Sequence, residues 1–194
     1  MNGSVISLND MNDQDISELH WLMEILKTTD VGLVVVDRQY HIRMWNSFMA
    51  NHSGLVPSRV MGKDLFSFFP ELPVEWLKDQ IDAVFVLKNR MYSAWEQREQ
   101  LFDFSSYRPI TGQSKKMFQN IQIFPLASAS GVVEQVCIGV YDVTEVAMGK
   151  NELQAANREM ARVSRTDRLT RLYNRGYWEE RLESEYKRAR RASS

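Results

Sequence analysis

Three stretches in the second half of the chain constrain its fold most, because alternation with a period of two leaves few architectures open. Met91–Phe104, Lys115–Leu126 and Val132–Asp142 each have the length of an extended strand. In the last, Val136, Ile138 and Val140 alternate with Cys137, Gly139 and Tyr141. The branched set is expected to face the core and the other set the opposite side. In the middle stretch Met117, Gln119, Ile121 and Ile123 form one face, and Phe118, Asn120, Gln122 and Phe124 the other. Both faces are partly apolar, so the outer one should also be covered, with the helices at the two ends of the chain as the covers. Ser105–Ser114, with Pro109 and Gly112, reads as a loop, and Ser128–Gly131 as a tighter turn.

Upstream, Gly32–Asp37 reads as a buried strand, Arg38–Tyr40 as a tight connection and His41–Trp45 as a second strand, hence a hairpin. Asn46 is placed to cap a short helix over Ser47–His52. Gly54, Pro57 and Gly62 divide the next stretch into brief pieces, and Asp64–Phe69 reads as one buried helical turn. After Pro73, Val74, Leu77, Ile81, Val84 and Leu87 or Lys88 keep helical spacing to about Asn89. Asp13–Thr29 reads as an amphipathic helix, with Asp15 and Glu18 at capping-box spacing. Ile16, Leu19, Met23 and Leu26 form its apolar face, widened by Leu22, and need something apolar to cover, either its own domain or a partner's. His20 and Trp21 sit beside that face and carry no motif. The order implies an α+β domain: a five-stranded antiparallel sheet with short helices grouped on one face, flanked by helices at both ends.

Beyond the last strand Val146, Gly149, Leu153, Ala156, Met160 and Val163 follow at alternating steps of three and four. That is a heptad seam along which two helices can pack. Gly149 and Ala156 make it thin, so the rod should be weak and able to change register cheaply. The alternative is an ordinary amphipathic helix lying on its own domain.

At 194 residues, 44% hydrophobic, 25% charged and net charge −1, the composition argues against nucleic acid as main partner. The basic run Lys187, Arg188, Arg190 and Arg191 reads as a solvated helix face. Cys137 is the single cysteine, which excludes an internal disulfide and a thiolate zinc cluster. No apolar run approaches the roughly 20 residues of a membrane helix, and the first ten residues lack the pattern of a secretion signal. A cytoplasmic protein without membrane contact is expected.

The order of elements and several residues resemble a PAS domain over about 31–145. They are GLVVVD at 32–37, the Trp45-Asn46 step, Gly62-Lys-Asp-Leu65 and the strand ending IGVYDVTE at 138–145. Asp142 and Thr144 are the Asp-Val-Thr with which PAS domains often close. The resemblance implies a cavity of the kind that commonly holds haem, flavin or a metabolite. Haem-binding relatives supply a His from the long helix, and Val74–Asn89 has none; His41 and His52 read as bland surface residues. Light-sensing flavin relatives need a Cys in a short helix, and Cys137 lies in the last strand. Neither haem nor covalent flavin is therefore expected, and the cofactor is unassigned. Trp45, Trp76 and Trp95 could stack on a noncovalent flavin but suit core or interface better.

For a small ligand, Gln119 stands out because it interrupts Met117, Ile121 and Ile123, and a buried amide needs backbone or ligand partners. Val136, Ile138 and Val140 line the same side. Arg98, taken in register with Phe102 and Phe104, could hold a carboxylate. Against both stands a satisfied structural contact or a solvated strand edge. No metal constellation is visible.

Ser164–Arg175 resembles the opening motif of GGDEF domains, the catalytic domains of diguanylate cyclases. The motif Asp-x-Leu-Thr-x-Leu-x-Asn-Arg is matched by Asp167, Leu169, Thr170, Leu172, Asn174 and Arg175, with Arg171 where Gly is common. Thr166 or Asp167 can cap a turn, and Asn174 a helix over Arg175–Arg190. In the family this motif couples an incoming rod to the catalytic domain. The Gly-Gly-Asp/Glu-Glu-Phe signature and the first catalytic strand, whose Asp binds magnesium, are absent from the sequence. Mg and GTP would thus belong to a catalytic part not present here, and this chain is not expected to condense GTP; a fragment of a longer enzyme is favoured over a naturally shortened one.

The organisation expected is a helix at 1–30, PAS domain 31–145, coiled-coil linker 146–165 and start of a GGDEF domain at 166–194. The expected function is a homodimeric sensor controlling cyclic di-GMP synthesis from two GTP. A ligand-free dimerisation scaffold and the regulatory part of a degenerate GGDEF protein that binds the dinucleotide are the alternatives.

Overall fold

Asp37 ends the first strand and builds the turn after it. In the computed structural model, which describes residues 13–105, 116–165, 167, 170 and 172–192, β1 (Val31–Asp37) and β2 (Ile42–Trp45) pair antiparallel. The Oδ1 of Asp37 accepts the amides of Gln39 (2.9 Å) and His41 (3.0 Å), and Arg43 reaches Oδ2 at 2.7 Å. Burial alone would raise this carboxyl's pKa; the His41 amide, the Arg43 side chain and the Gln39 amide outweigh burial and hold it below the ordinary value. Tyr40 takes the left-handed conformation at φ 61°, and its amide donates to the Asp37 carbonyl at 3.0 Å. The ladder then skips Arg43, pairing Val36 with Ile42 and Val35 with Met44.

Asn46 joins three elements. Its Oδ1 accepts the amide of Met49, capping α2 (Ser47–Ser53), and the amide of Leu33 at 3.0 Å. Its own amide donates to Val31 O (2.8 Å) and to Leu26 O (3.3 Å) of α1 (Asp13–Thr28). Gly32 is required where α2 closes on β1: a Cβ there would stand 2.6 Å from Met49 Sδ and 2.9 Å from Phe48. The expected capping box of α1 is corrected, because the helix already includes Asp13 and Asp15 lies within its first turn. The helix packs against α2, yet Trp21, Leu22, Met23 and Ile25 are exposed and Leu26 is half-buried, so its own domain covers little of this face. The side chains of Ile16 and Leu19 lie outside the described residues.

After α3 (Pro57–Val60) and a 3₁₀ turn at Leu65–Ser67, α4 (Val74–Leu87) ends at Lys88 in the left-handed conformation. The strands β3 (Met91–Ser93), β4 (Gln119–Ala127) and β5 (Val133–Asp142) complete a five-stranded antiparallel sheet of order β2-β1-β5-β4-β3. Val34, Val36, Ile121, Ile123, Val136, Ile138 and Val140 form the sheet's core face, against Leu77, Ile81, Val84 and Phe85 of α4. Cys137, Gly139 and Tyr141 occupy the opposite face, as alternation requires. Tyr141 lies along that face over Gly139, its hydroxyl donating to Gln122 at 3.2 Å. Cys137 is also buried, and burial pushes its thiol up to about 12.

The long strand expected at Met91–Phe104 is corrected: β3 stops at Ser93. The run 96–100 is wholly polar and carries no alternation, and no strand continues through it, although Gln119 N at the start of β4 donates to Glu99 O at 2.9 Å. Instead the amides of Gln97 and Arg98 turn back to Ala94 O, and Trp95 N donates to Asn120 Oδ1 at 2.9 Å. The next strand starts at Gln119 rather than Lys115; Met117 precedes it and bonds Phe104 O at 3.0 Å.

The contacts divide the chain into two units that meet between Thr144 and Glu145. The second comprises α5 (Thr144–Arg165), apart from its first residue, and α6 (Arg175–Ala192). In α5 Val146, Leu153 and Met160 are 66%, 63% and 69% exposed, and Gly149 and Ala156 are exposed too. Asp167 Oδ1 accepts the amide (2.9 Å) and hydroxyl (3.0 Å) of Thr170, and Asn174 Oδ1 accepts Tyr177 N at 2.9 Å, capping α6. Val163's side chain and Thr166, Leu169 and Arg171 lie outside the described residues. Exposed pairs such as Arg175–Glu179 (2.8 Å) and Lys187–Glu183 (2.7 Å) tie successive turns of α6. Among the described residues no helix is long and apolar enough to cross a membrane.

Candidate functional site

Gln119 is fully buried, and backbone satisfies it. Its Oε1 accepts the amides of Leu101 (2.9 Å) and Phe102 (3.0 Å), and its Nε2 donates to Phe102 O at 2.8 Å. One side chain thereby fixes the segment that carries Phe102 and Phe104 into the core. With Met117, Ile121, Val136, Ile138 and Val140 these residues share one buried cluster. Rings continue the packing: Trp45 stacks on Phe69 (5.7 Å), Phe69 meets Phe102 edge-on (5.2 Å), and Phe102 stacks on Phe104 (5.3 Å).

His52 extends that row, with centroids 5.8 Å from Phe104 and 4.3 Å from Phe48. The Phe48 contact follows from the spacing, since Phe48 lies one helical turn before His52. The Nδ1 of His41 lies 3.5 Å from Asp37 Oδ2. Trp95 meets Phe118 edge-on at 5.4 Å.

Arg98 is corrected: it does not join the inward set. The turn at 94–98 directs it to α4, where its guanidinium lies 4.5 Å over the Trp76 ring. Together with Gln80, Met91, Tyr92, Ser93 and Gln97 these two residues line a groove of about 190 Å³ between α4 and β3. No group of three His, Cys, Asp or Glu placed to hold a metal occurs among the described residues.

At the far end of β5, Asp142 Oδ1 accepts both the amide (2.9 Å) and the hydroxyl (2.5 Å) of Thr144, the first residue of α5. Thr144 Oγ1 in turn accepts Phe118 N at 3.0 Å, and Val143 N donates to Phe118 O at 2.9 Å. The residue before β4 and the residue that starts α5 are therefore bonded directly.

A family model described as the PAS fold matches residues 26–147. The chain belongs to the PAS family. As a PAS domain, residues 26–147 form a sensory and signalling module. Among solved structures, a sensory box sensor histidine kinase from Vibrio cholerae is 29% identical, covering 68% of this chain and 95% of its own, at TM-score 0.48. The PAS domain of an HTR-like protein from Haloarcula marismortui is 15% identical, covering 66% and 99%, at TM-score 0.49. The PAS domain of BvgS from Bordetella pertussis is 15% identical, covering 74% and 98%, at TM-score 0.48. No curated protein matches the sequence. In this PAS domain the Trp45-Asn46 step and the Asp142–Thr144 pair, weak signals singly, are places where helices are tied to the sheet.

Proposed function

We propose that this PAS domain is the regulatory input of a diguanylate cyclase and acts as a homodimer. The motif at 167–175, which follows the exposed seam of α5, carries the reading. Asp142 and Thr144 are its coupling residues, since they link β4, β5 and the rod. Synthesis of cyclic di-GMP requires two GTP-loaded GGDEF domains face to face. A rod with two registers separated by a few kcal/mol would bring such domains together or hold them apart. This chain lacks the GGDEF signature, and we assign it no catalysis; Mg and GTP belong to the GGDEF domain.

Cyclic di-GMP synthesis by a protein joining this chain to a complete GGDEF domain tests the reading. Product formation that changes when Asp142 or Thr144 is replaced is expected. No product under any condition would remove the cyclase half.

A second reading, a PAS core that dimerises without an interior ligand, is favoured by Gln119. Its amide is bonded to the backbone of 101–102, and rings pack beside it.

A further inference from the structure

We propose that the groove between α4 and β3 binds a small oxyanion, a carboxylate or a phosphate, through Arg98. The proposal rests on the sensor half of the function above and needs nothing from the GGDEF half. Arg98 is half-buried and uses the face of its guanidinium against Trp76. Stacking on a ring leaves the edge donors in the guanidinium plane free. Among the described residues no carboxylate pairs with this guanidinium and no acceptor takes its N–H groups. A partly desolvated fork without a counter-charge is suited to bidentate capture of a planar carboxylate or a phosphate.

The wall opposite adds a second, independent observation. Ser93 lines the groove, and its hydroxyl, which bonds to no protein group among the described residues, is no closed-off orphan but opens to the groove. Gln80 and Gln97, whose side chains make no protein hydrogen bond among the described residues, can donate from the flanks. Met91 and Trp76 offer apolar surface to a short carbon chain. The groove's 190 Å³ equals roughly six waters at about 30 Å³ each. That suits a short-chain carboxylic acid or free phosphate. The groove also has a mechanical route inward, because Ser93 pairs with Ile121 of β4, the strand whose approach is bonded to Thr144.

The test is titration of the ¹⁵N-labelled chain with succinate and, separately, with inorganic phosphate at constant ionic strength, following the tryptophan indole N–H resonances. Saturable movement of the Trp76 resonance is expected with one or both anions. Succinate alone identifies a carboxylate site, phosphate alone a phosphate site, and both a general oxyanion site. Arg98→Gln should weaken binding at least 10-fold, Arg98→Lys less, and Ser93→Ala several-fold, with circular dichroism unchanged. Should Arg98→Gln not fold, Arg98→Lys and Ser93→Ala carry the test. A Trp76 resonance that neither anion moves, or binding that these variants leave intact, overturns the site. If binding holds but the dimer and the linked cyclase ignore it, the site stands and the sensor reading falls.

Discussion

Replacing Gln119 by leucine keeps roughly the same volume and removes three hydrogen bonds. The amides of Leu101 and Phe102 and the carbonyl of Phe102 would then sit in a buried place without partners. Each such orphan costs about 1–3 kcal/mol, partly relieved if the segment lifts toward water. We expect Gln119→Leu to lower stability by about 3 kcal/mol in urea denaturation. A loss below about 1 kcal/mol would mean the backbone of 101–102 is held by something else. The sequence marked this residue because a polar group interrupted an apolar face. It could not name the partners, which lie 17 and 18 positions away in an irregular segment. Arg98 failed for a related reason: its register was extrapolated from Phe102 and Phe104 through a polar run in which alternation does not exist.

At the scale of elements, legibility follows how local the determining interactions are. The β1–β2 hairpin, the Asn46 cap and the face of β5 were readable because each is fixed within a few residues. The extent of β3 was not, because it depends on Asn120 and Gln119 taking amides that a longer ladder would have used. The hairpin also yields a pH prediction. The Asp37 pKa is lowered from 3.8, so its contribution is present above that value and is lost as pH falls through the folded-state value. In Asp37→Asn the amide oxygen can still accept the turn amides, but the charge-assisted bond to Arg43 goes, at a cost of about 1–3 kcal/mol near neutral pH. Comparing urea melts of the two proteins, the gap should be full above about pH 5 and shrink toward pH 3. A gap unchanged across that range would show that charge on Asp37 contributes nothing.

At the scale of the molecule, the exposed stripe on α5 has to be explained by what it meets. Val146, Leu153 and Met160 recur every seven residues and are all exposed in the single chain, while Gly149 and Ala156 fill the alternate seam position with almost no side chain. Such a seam, only two to three heptads long, gives a dimer weak enough to rearrange, with dissociation expected in the micromolar range. In a parallel pair each seam residue faces its own copy, so Leu153→Lys sets two like charges together and removes the largest apolar contact in the middle of the rod. Sedimentation equilibrium should show at least a 10-fold weaker dimer, roughly 1.4 kcal/mol, with the PAS domain's melting unchanged. Residue 153 lies outside the sheet and its core, so a fall in PAS stability is not part of this expectation. A wild-type chain that stays monomeric at about 100 μM, or a Leu153→Lys chain that dimerises as well as wild type, would detach the rod from dimerisation. Signal transfer by register shift would then have no physical carrier, whatever the groove at Arg98 binds.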